Sequence, residues 1–214
     1  MKPPVTPTAT DFANSAPPTF VLASSSPYRK AQLESRFNLQ LQCISPYIDE
    51  SPLVNETPTQ TALRLSALKA LAVCEQLSHE STQIIIAGDQ TAEWNRALLK
   101  KPGNHENALA QLTELNGQYV CFYSGVCVMN SITKETYVES TETRVKLRNL
   151  SPALIERYIQ QDQPYDCVGA FKNETAGIAL FESIESNDPT ALTGLPLIAL
   201  TRLLNTLGVE LLSF

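Results

Sequence analysis

Three consecutive isoleucines, Ile84, Ile85 and Ile86, run into Ala87 and then Gly88-Asp89-Gln90, and this segment constrains the fold most. Successive strand residues face opposite sides of a sheet, so a run with no polar interruption must be covered on both faces. It reads as a buried strand of an α/β sheet. A carboxylate closing such a strand lies where open α/β sheets place their ligands. Asp89 there suits a divalent cation or a water to be activated. It suits a plain turn aspartate equally well.

Strands and helices alternate around this run. Phe20 to Ala23 is short and apolar, and Ser24-Ser25-Ser26-Pro27 follows, with Ser26 placed to cap and Pro27 to open a helix reaching about Phe37. Leu39 to Ile44 reads as a second strand, and residues 45–57 as a polar loop carrying Asp49 and Glu50. Thr57-Pro58-Thr59-Gln60 is a capping box. The helix behind it runs to about Leu77, with Leu65, Leu68 and Ala72 expected on its inner face. A hairpin-like arm with Trp94 and Leu98 leads to Lys101-Pro102-Gly103, and Asn104 caps a helix that Asn116-Gly117 ends. Tyr119–Met129 and Thr136–Leu147 read as a long strand pair, and Ser151-Pro152 as a helix start. Residues 164–177 form an irregular loop, Leu195–Leu207 the last helix and Val209–Leu212 a closing strand. The pattern predicts a single α/β domain over residues 19–214, with a mixed central sheet flanked by helices. Residues 1–18, five of them proline, read as a disordered or extended tail.

Composition narrows the partners. A net charge of −6 argues against nucleic acid and anionic membrane, which need a basic surface. Arg144, Lys146 and Arg148 share one strand face and read as a solvated strip. No apolar stretch is long enough to span a bilayer, and no apolar segment follows Lys2. The five cysteines are scattered without a CxxC pair, which predicts reduced thiols in a cytoplasmic protein. With His79 and His105 as the only histidines, a structural zinc site is disfavoured. GxxxxGK[ST] and GxGxxG are both absent.

Other segments can serve an anion. The strand-to-helix turn at Ser24 presents free N–H groups at a helix start, and Arg29 adds a guanidinium fork. A serine cap beside a surface arginine fits the same residues. Asp49-Glu50 suits a metal near a phosphate site or simply a solvated loop. Lys69, Lys101 and Lys172 are phosphate partners or surface charges.

Taken in order, these segments resemble the Maf family of nucleotide pyrophosphatases. The opening LASxSPxR stands as Leu22–Arg29, followed by Ile48-Asp49-Glu50, Arg64-Leu65 with Lys69-Ala70, Ala87-Gly88-Asp89-Gln90, Lys101-Pro102, residues 167–174 and Gly194-Leu195-Pro196-Leu197. The chain departs from the pattern where Thr175-Ala176 intervene before Gly177 and where Lys100 precedes Lys101. The resemblance implies a Maf/ITPase-like fold and hydrolysis of a nucleoside triphosphate to monophosphate and pyrophosphate. It implies Asp89 as catalytic base and Mg²⁺ or Mn²⁺ held by Asp49, Glu50 and Asp89. Ser24, Arg29, Lys69, Lys101 and Lys172 would cradle the phosphates. Tyr28, Gln90 and Glu174 replace the arginine, threonine and glutamine of the branch acting on dTTP and UTP, and resemble the 7-methyl-GTP branch. An aromatic ring attracts the cationic methylated base, and a carboxylate accepts from its N–H groups. A nucleotide is the partner implied; the oligomeric state, a homodimer included, stays open.

Overall fold

The computed structural model describes residues 18–78 and 80–213; the tail expected over residues 1–18 lies, but for Pro18, outside them. The chain runs β1 (Thr19–Ala23), α1 (Pro27–Phe37), β2 (Leu41–Cys43), α2 (Pro58–Cys74), β3 (Gln83–Trp94), β4 (Ala97–Leu98), α3 (His105–Leu115), β5 (Tyr119–Asn130), β6 (Thr136–Leu147), α4 (Pro152–Asp162), β7 (Phe181–Ser186) and α5 (Leu197–Thr206). The sheet order is β2-β1-β3-β5-β6-β7, with β4 hairpinned onto β3. β1 is parallel to β2 and β3, whereas β3, β5, β6 and β7 are antiparallel neighbours. The sheet is mixed and flanked by helices, as the alternation predicts.

The isoleucine run is covered on both faces. Ile84 and Ile86 pack with Phe20, Leu22, Val126, Leu195 and Leu200 beneath α1 and α5. Ile85 and Ala87 face the other way, with Val21, Ala23, Ala70, Val73 and Cys127 beneath α2. Further along β5 the even-numbered residues Val120 and Phe122 meet Leu112, Leu115, Ile155 and Ile159 from α3 and α4. The odd-numbered face beyond α2 is left open. There Arg144 and Lys146 stack over the Tyr119 ring at 4.0 and 4.6 Å, consistent with a solvated strip.

The helix starts form as their residues dictate. Ser26 Oγ accepts from the Arg29 N–H, Thr57 and Gln60 close a reciprocal capping box, and Asn104 Oδ1 accepts from the Asn107 N–H. Helix α5 begins at Pro196, which has no capping group, and is capped from a distance. The Asp188 carboxylate, 2% exposed, accepts from the Ile198 N–H at 2.7 Å and from the Thr190 N–H and hydroxyl.

Three expectations are corrected. The inner face of α2 carries Ala62, Leu65, Ser66, Lys69, Ala70 and Val73, while Leu68 points to solvent. The reason is close contact: a Cβ on Gly125 of β5 would stand 2.5 Å from the Ala62 carbonyl oxygen and 2.6 Å from Ser66 Oγ. Only small side chains fit along that line. Second, Val209–Leu212 does not close the sheet. Val209 and Leu211 are buried in the α5 core, and Leu211–Ser213 form a short 3₁₀ turn. Third, β2 is confined to Leu41–Cys43, and β7 forms a mostly exposed edge strand over a stretch without apolar alternation.

Replacing Gly125 by alanine should push α2 off the sheet. The expected loss is about 1–3 kcal/mol of stability, typical of overpacking. Urea unfolding at constant m-value checks it, and an unchanged midpoint would refute the contact.

Candidate active site

β1 and β3 are paired only from Thr19↔Gln83 to Ala23↔Ala87. β3 then runs on alone along that edge until β4 rejoins it at Glu93 and Trp94. The notch between the end of β1 and β4 opens into a cavity of about 570 Å³. The length difference between β1 and β3 therefore opens the groove.

At the end of β1, Ser24 is buried, and its Oγ accepts from the Ser26 N–H at 3.1 Å and from Arg29 Nη1 at 3.3 Å. Arg29 Nε donates to the Gly194 carbonyl at 3.0 Å. Burial pushes the Arg29 pKa down, while Asp89 and Glu50 oppose that shift. A guanidinium starting so high stays charged. Ser24 and Arg29 thus meet at the start of α1, facing the cavity.

The centre is an ion triad. Lys69 Nζ lies 2.6 Å from Asp89 Oδ1 and 2.8 Å from Glu50 Oε1. Lys69 and Asp89 are 6% and 7% exposed. Burial raises the Glu50 carboxyl, but the Lys69 hydrogen bond and the charges of Lys69, Lys101 and Arg29 outweigh it and hold it below the usual range. The loop carrying Glu50 is strapped to α2. Arg64 makes a two-pronged bond to Glu56 at 2.6 and 2.7 Å and donates to the Ser51 carbonyl at 3.1 Å. Glu56 also accepts from Thr61 Oγ1 and the Leu53 N–H, and it is held at about 2, chiefly by the Arg64 hydrogen bond. No spacing in the sequence singles out this strap.

Asp49 and Lys172 are not brought in. The Asp49 carboxylate is exposed, accepts from the Ser51 N–H at 2.9 Å and does not line the cavity. Lys172 Nζ donates to the Asp162 carbonyl at the end of α4, 2.8 Å away, and is likewise outside the lining. Lys101 does line the cavity, on a loop pinned by Asn107 Nδ2 to the Pro102 carbonyl and by the Gly103 N–H to the Tyr165 carbonyl.

Tyr28 and Glu174 also line the cavity. Burial raises both. Lys172 opposes the shift at Tyr28; at Glu174 a hydrogen bond from its own backbone N–H opposes it more than Lys172 does. Gln90 spends its amide on Ser124 Oγ at 2.9 Å and on the Leu192 and Ala191 carbonyls, so it offers a ligand only its carbonyl oxygen. Sequence reading missed Asp166 and Asn173 here. Asn173 Nδ2 donates to Thr193 Oγ1, and its Oδ1 is buried with no partner.

The cavity brings together Ser24, Arg29, Lys69 and Lys101, which suit an anion, two converging carboxylates, and the Tyr28–Glu174 aromatic–carboxylate pair. Among the described residues no group of three or more His, Cys, Asp or Glu side chains could hold a metal ion. Glu50 and Asp89 suit an ion whose remaining ligands come from phosphate and water, as is usual for Mg²⁺.

The family described as Maf-like protein matches residues 19–207. A 7-methyl-GTP pyrophosphatase of Burkholderia lata is 47% identical over 188 residues, 88% of this chain and 89% of that protein. Proteins of the same name from Paraburkholderia xenovorans and Thiobacillus denitrificans are 45% and 44% identical, over 92% of this chain and 95% and 96% of their own. A nucleoside-triphosphatase, dITP/XTP pyrophosphatase, structure from Mycobacterium abscessus aligns with a TM-score of 0.37 and 17% identity over 62% of this chain and 75% of that one, too slight a likeness to bear on fold or function. The motif order, the cavity that gathers most of those motifs, and a match running from β1 into the last turn of α5 agree: the chain belongs to the Maf family.

Proposed function

We propose that this chain hydrolyses the α–β phosphoanhydride of 7-methyl-GTP, releasing pyrophosphate and the nucleoside monophosphate. The observation that carries the reading is that one cavity is lined by two separate sets of groups: Arg29, Lys69 and Lys101 around Glu50 and Asp89, and Tyr28 with Glu174. The name borne by the relatives at 44–47% identity supports it. 7-Methylguanine carries a delocalised positive charge, which an aromatic face attracts. Glu174 offsets that charge and accepts from the N1–H and exocyclic amine.

Asp89 is the base. Without nucleotide its Oδ1 accepts from Lys69, and its second carboxylate oxygen is placed to take the proton of the attacking water. Its place in mid-β3 holds it more rigidly than Glu50 is held on its loop. Ser24, Arg29, Lys69 and Lys101 bind the triphosphate. Lys172, tied to Asp162, acts through its charge on the base end instead of on phosphate. Mg²⁺ or Mn²⁺ held by Glu50 and Asp89, without Asp49, would offset the charge that develops on the phosphate. The nucleotide pool and five free thiols suit a cytoplasmic enzyme.

Pyrophosphate release from 7-methyl-GTP, GTP, dTTP, UTP and CTP, with Mg²⁺, Mn²⁺ or EDTA, tests this directly. Release should be led by 7-methyl-GTP, stop in EDTA, and fall by about 10²–10⁴-fold in kcat for Asp89→Asn, the span of a lost general base. Release led by dTTP or UTP would overturn the base assignment, and tight binding without release would overturn turnover.

At the base end, Tyr28→Ala should cost about 0.5–2 kcal/mol, roughly 2–30-fold in kcat/KM for 7-methyl-GTP relative to GTP. Tyr28→Arg with Glu174→Gln should move preference away from the methylated base; unchanged selectivity would refute both roles.

Because Glu174 ionises above its ordinary 4.5, the cationic base should bind more tightly as pH rises through that raised value. KM for 7-methyl-GTP, measured on the acid side of neutrality, should therefore fall with pH. The same series on Glu174→Gln should be flat; a slope that persists would place the ionisation elsewhere.

A further inference from the structure

Lys69 does not point at an empty phosphate site. Its ammonium stands between Glu50 Oε1 at 2.8 Å and Asp89 Oδ1 at 2.6 Å, the two carboxylates that converge in the cavity. A divalent ion bound by both would occupy nearly the same point. Mg²⁺–oxygen distances are about 2.0–2.1 Å, so the acids would close in by only roughly half an ångström or a little more. Ammonium and metal cannot share that position.

We infer that Lys69 is the stand-in cation of the resting site, and that metal enters only when a triphosphate arrives to draw the ammonium away. This rests on the reading of Glu50 and Asp89 as metal ligands. Charge explains the order of events. Arg29, Lys69 and Lys101 face two carboxylates around this part of the cavity, so the site is already balanced in favour of cations. A bare dication added there meets three positive groups and no new anion. With a nucleotide present, the triphosphate supplies the missing negative charge and gives Lys69 a new partner. A four-carbon stem lets the ammonium turn from the acids toward phosphate oxygens without moving α2. Asp89, nearly buried, is never left without a cation in either state. Lys69 thus acts as a positioning residue before the reaction and a phosphate ligand during it.

Mn²⁺ binding, read by the loss of the free-ion EPR signal, tests this without turnover. Wild-type protein alone should bind Mn²⁺ weakly. With a 7-methyl-GTP analogue bridged by methylene between the α and β phosphates, affinity should rise by about a hundredfold, beyond that of the analogue alone for Mn²⁺. Lys69→Met, with Lys69→Gln as the second variant and circular dichroism as the folding check, should bind Mn²⁺ without nucleotide about tenfold or more tightly than wild type. Lys101→Met removes an equal charge but frees neither carboxylate, and should change that affinity far less. Equal gains in the Lys69 and Lys101 variants, or no gain in either, would overturn the stand-in role. So would wild-type protein that binds Mn²⁺ equally well with and without the analogue, a result that needs no variant to fold. Failure of every form to bind Mn²⁺, analogue included, would show instead that the metal reading had failed, and the inference with it.

Discussion

A carboxylate set 7% exposed in the middle of a seven-stranded sheet must be met by a cation, because removing one partner of such a pair leaves an uncompensated charge costing about 3–5 kcal/mol. Asp89 is met by Lys69, and Lys69 reaches it because α2 lies directly on β5. That approach exists only because position 125 has no side chain. The opposite face repeats the device. A Cβ on Gly88 would stand 2.6 Å from Leu195 Cδ2 and 3.5 Å from Arg29 Nε. The residue before Asp89 and the one paired across from it are thus both bare, and an element closes on each side. The active cations are positioned by what these strands lack.

The notch follows from the same strands. β1 stops at Ala23 while β3 continues to Trp94, so the parallel half of the sheet ends before the antiparallel half does. Ligand crevices in open α/β sheets lie beyond the carboxyl ends of strands, and this one is widened by a length difference. The 3₁₀ turn Ala191–Thr193 with Gly194 also lines it, held by Gln90 and Ser124 and by Arg29 at Gly194. Gln90 therefore shapes the cavity by holding this turn as well as by lining it.

Much of this was legible in the chain. The serine turn, the capping box and the Asn104 cap are local signals whose energetics do not depend on distant partners, and each formed where read, whereas the isoleucine strand, read as closing at Asp89, runs on to Trp94 because β5 pairs with it beyond that point. What escaped was decided by tertiary contact. Leu68 reads as an inner residue by helical spacing, yet the Gly125 contact turns the helix so that Ser66 and Ala70 face the strands. Asp49 and Glu50 are equivalent in sequence; the Arg64–Glu56 strap and the Ser51 turn decide that only Glu50 faces the cavity. Lys172 follows the motif but ends on a helix carbonyl. Asp188 looks like a loop acid and is the cap of α5.

Charge sets the character of the cavity around Tyr28 and Glu174. Burial lifts the Glu174 ionisation, so holding it charged beside a neutral base carries a cost that a cationic base removes. Unmethylated guanine brings the same hydrogen-bond donors but no positive charge, and leaves the Tyr28 face without its cation. Discrimination by a single methyl group would be weak if read through shape, since one methylene in an apolar pocket is worth about 1–3 kcal/mol. Read through charge, the methyl alters the interaction with Tyr28 and Glu174 together, and Lys172 nearby keeps that carboxylate from being lifted further. On the proposed reading, Tyr28 and Glu174 would sense the electrostatic consequence of methylation, and specificity would follow from a charge that the substituent itself does not carry alone.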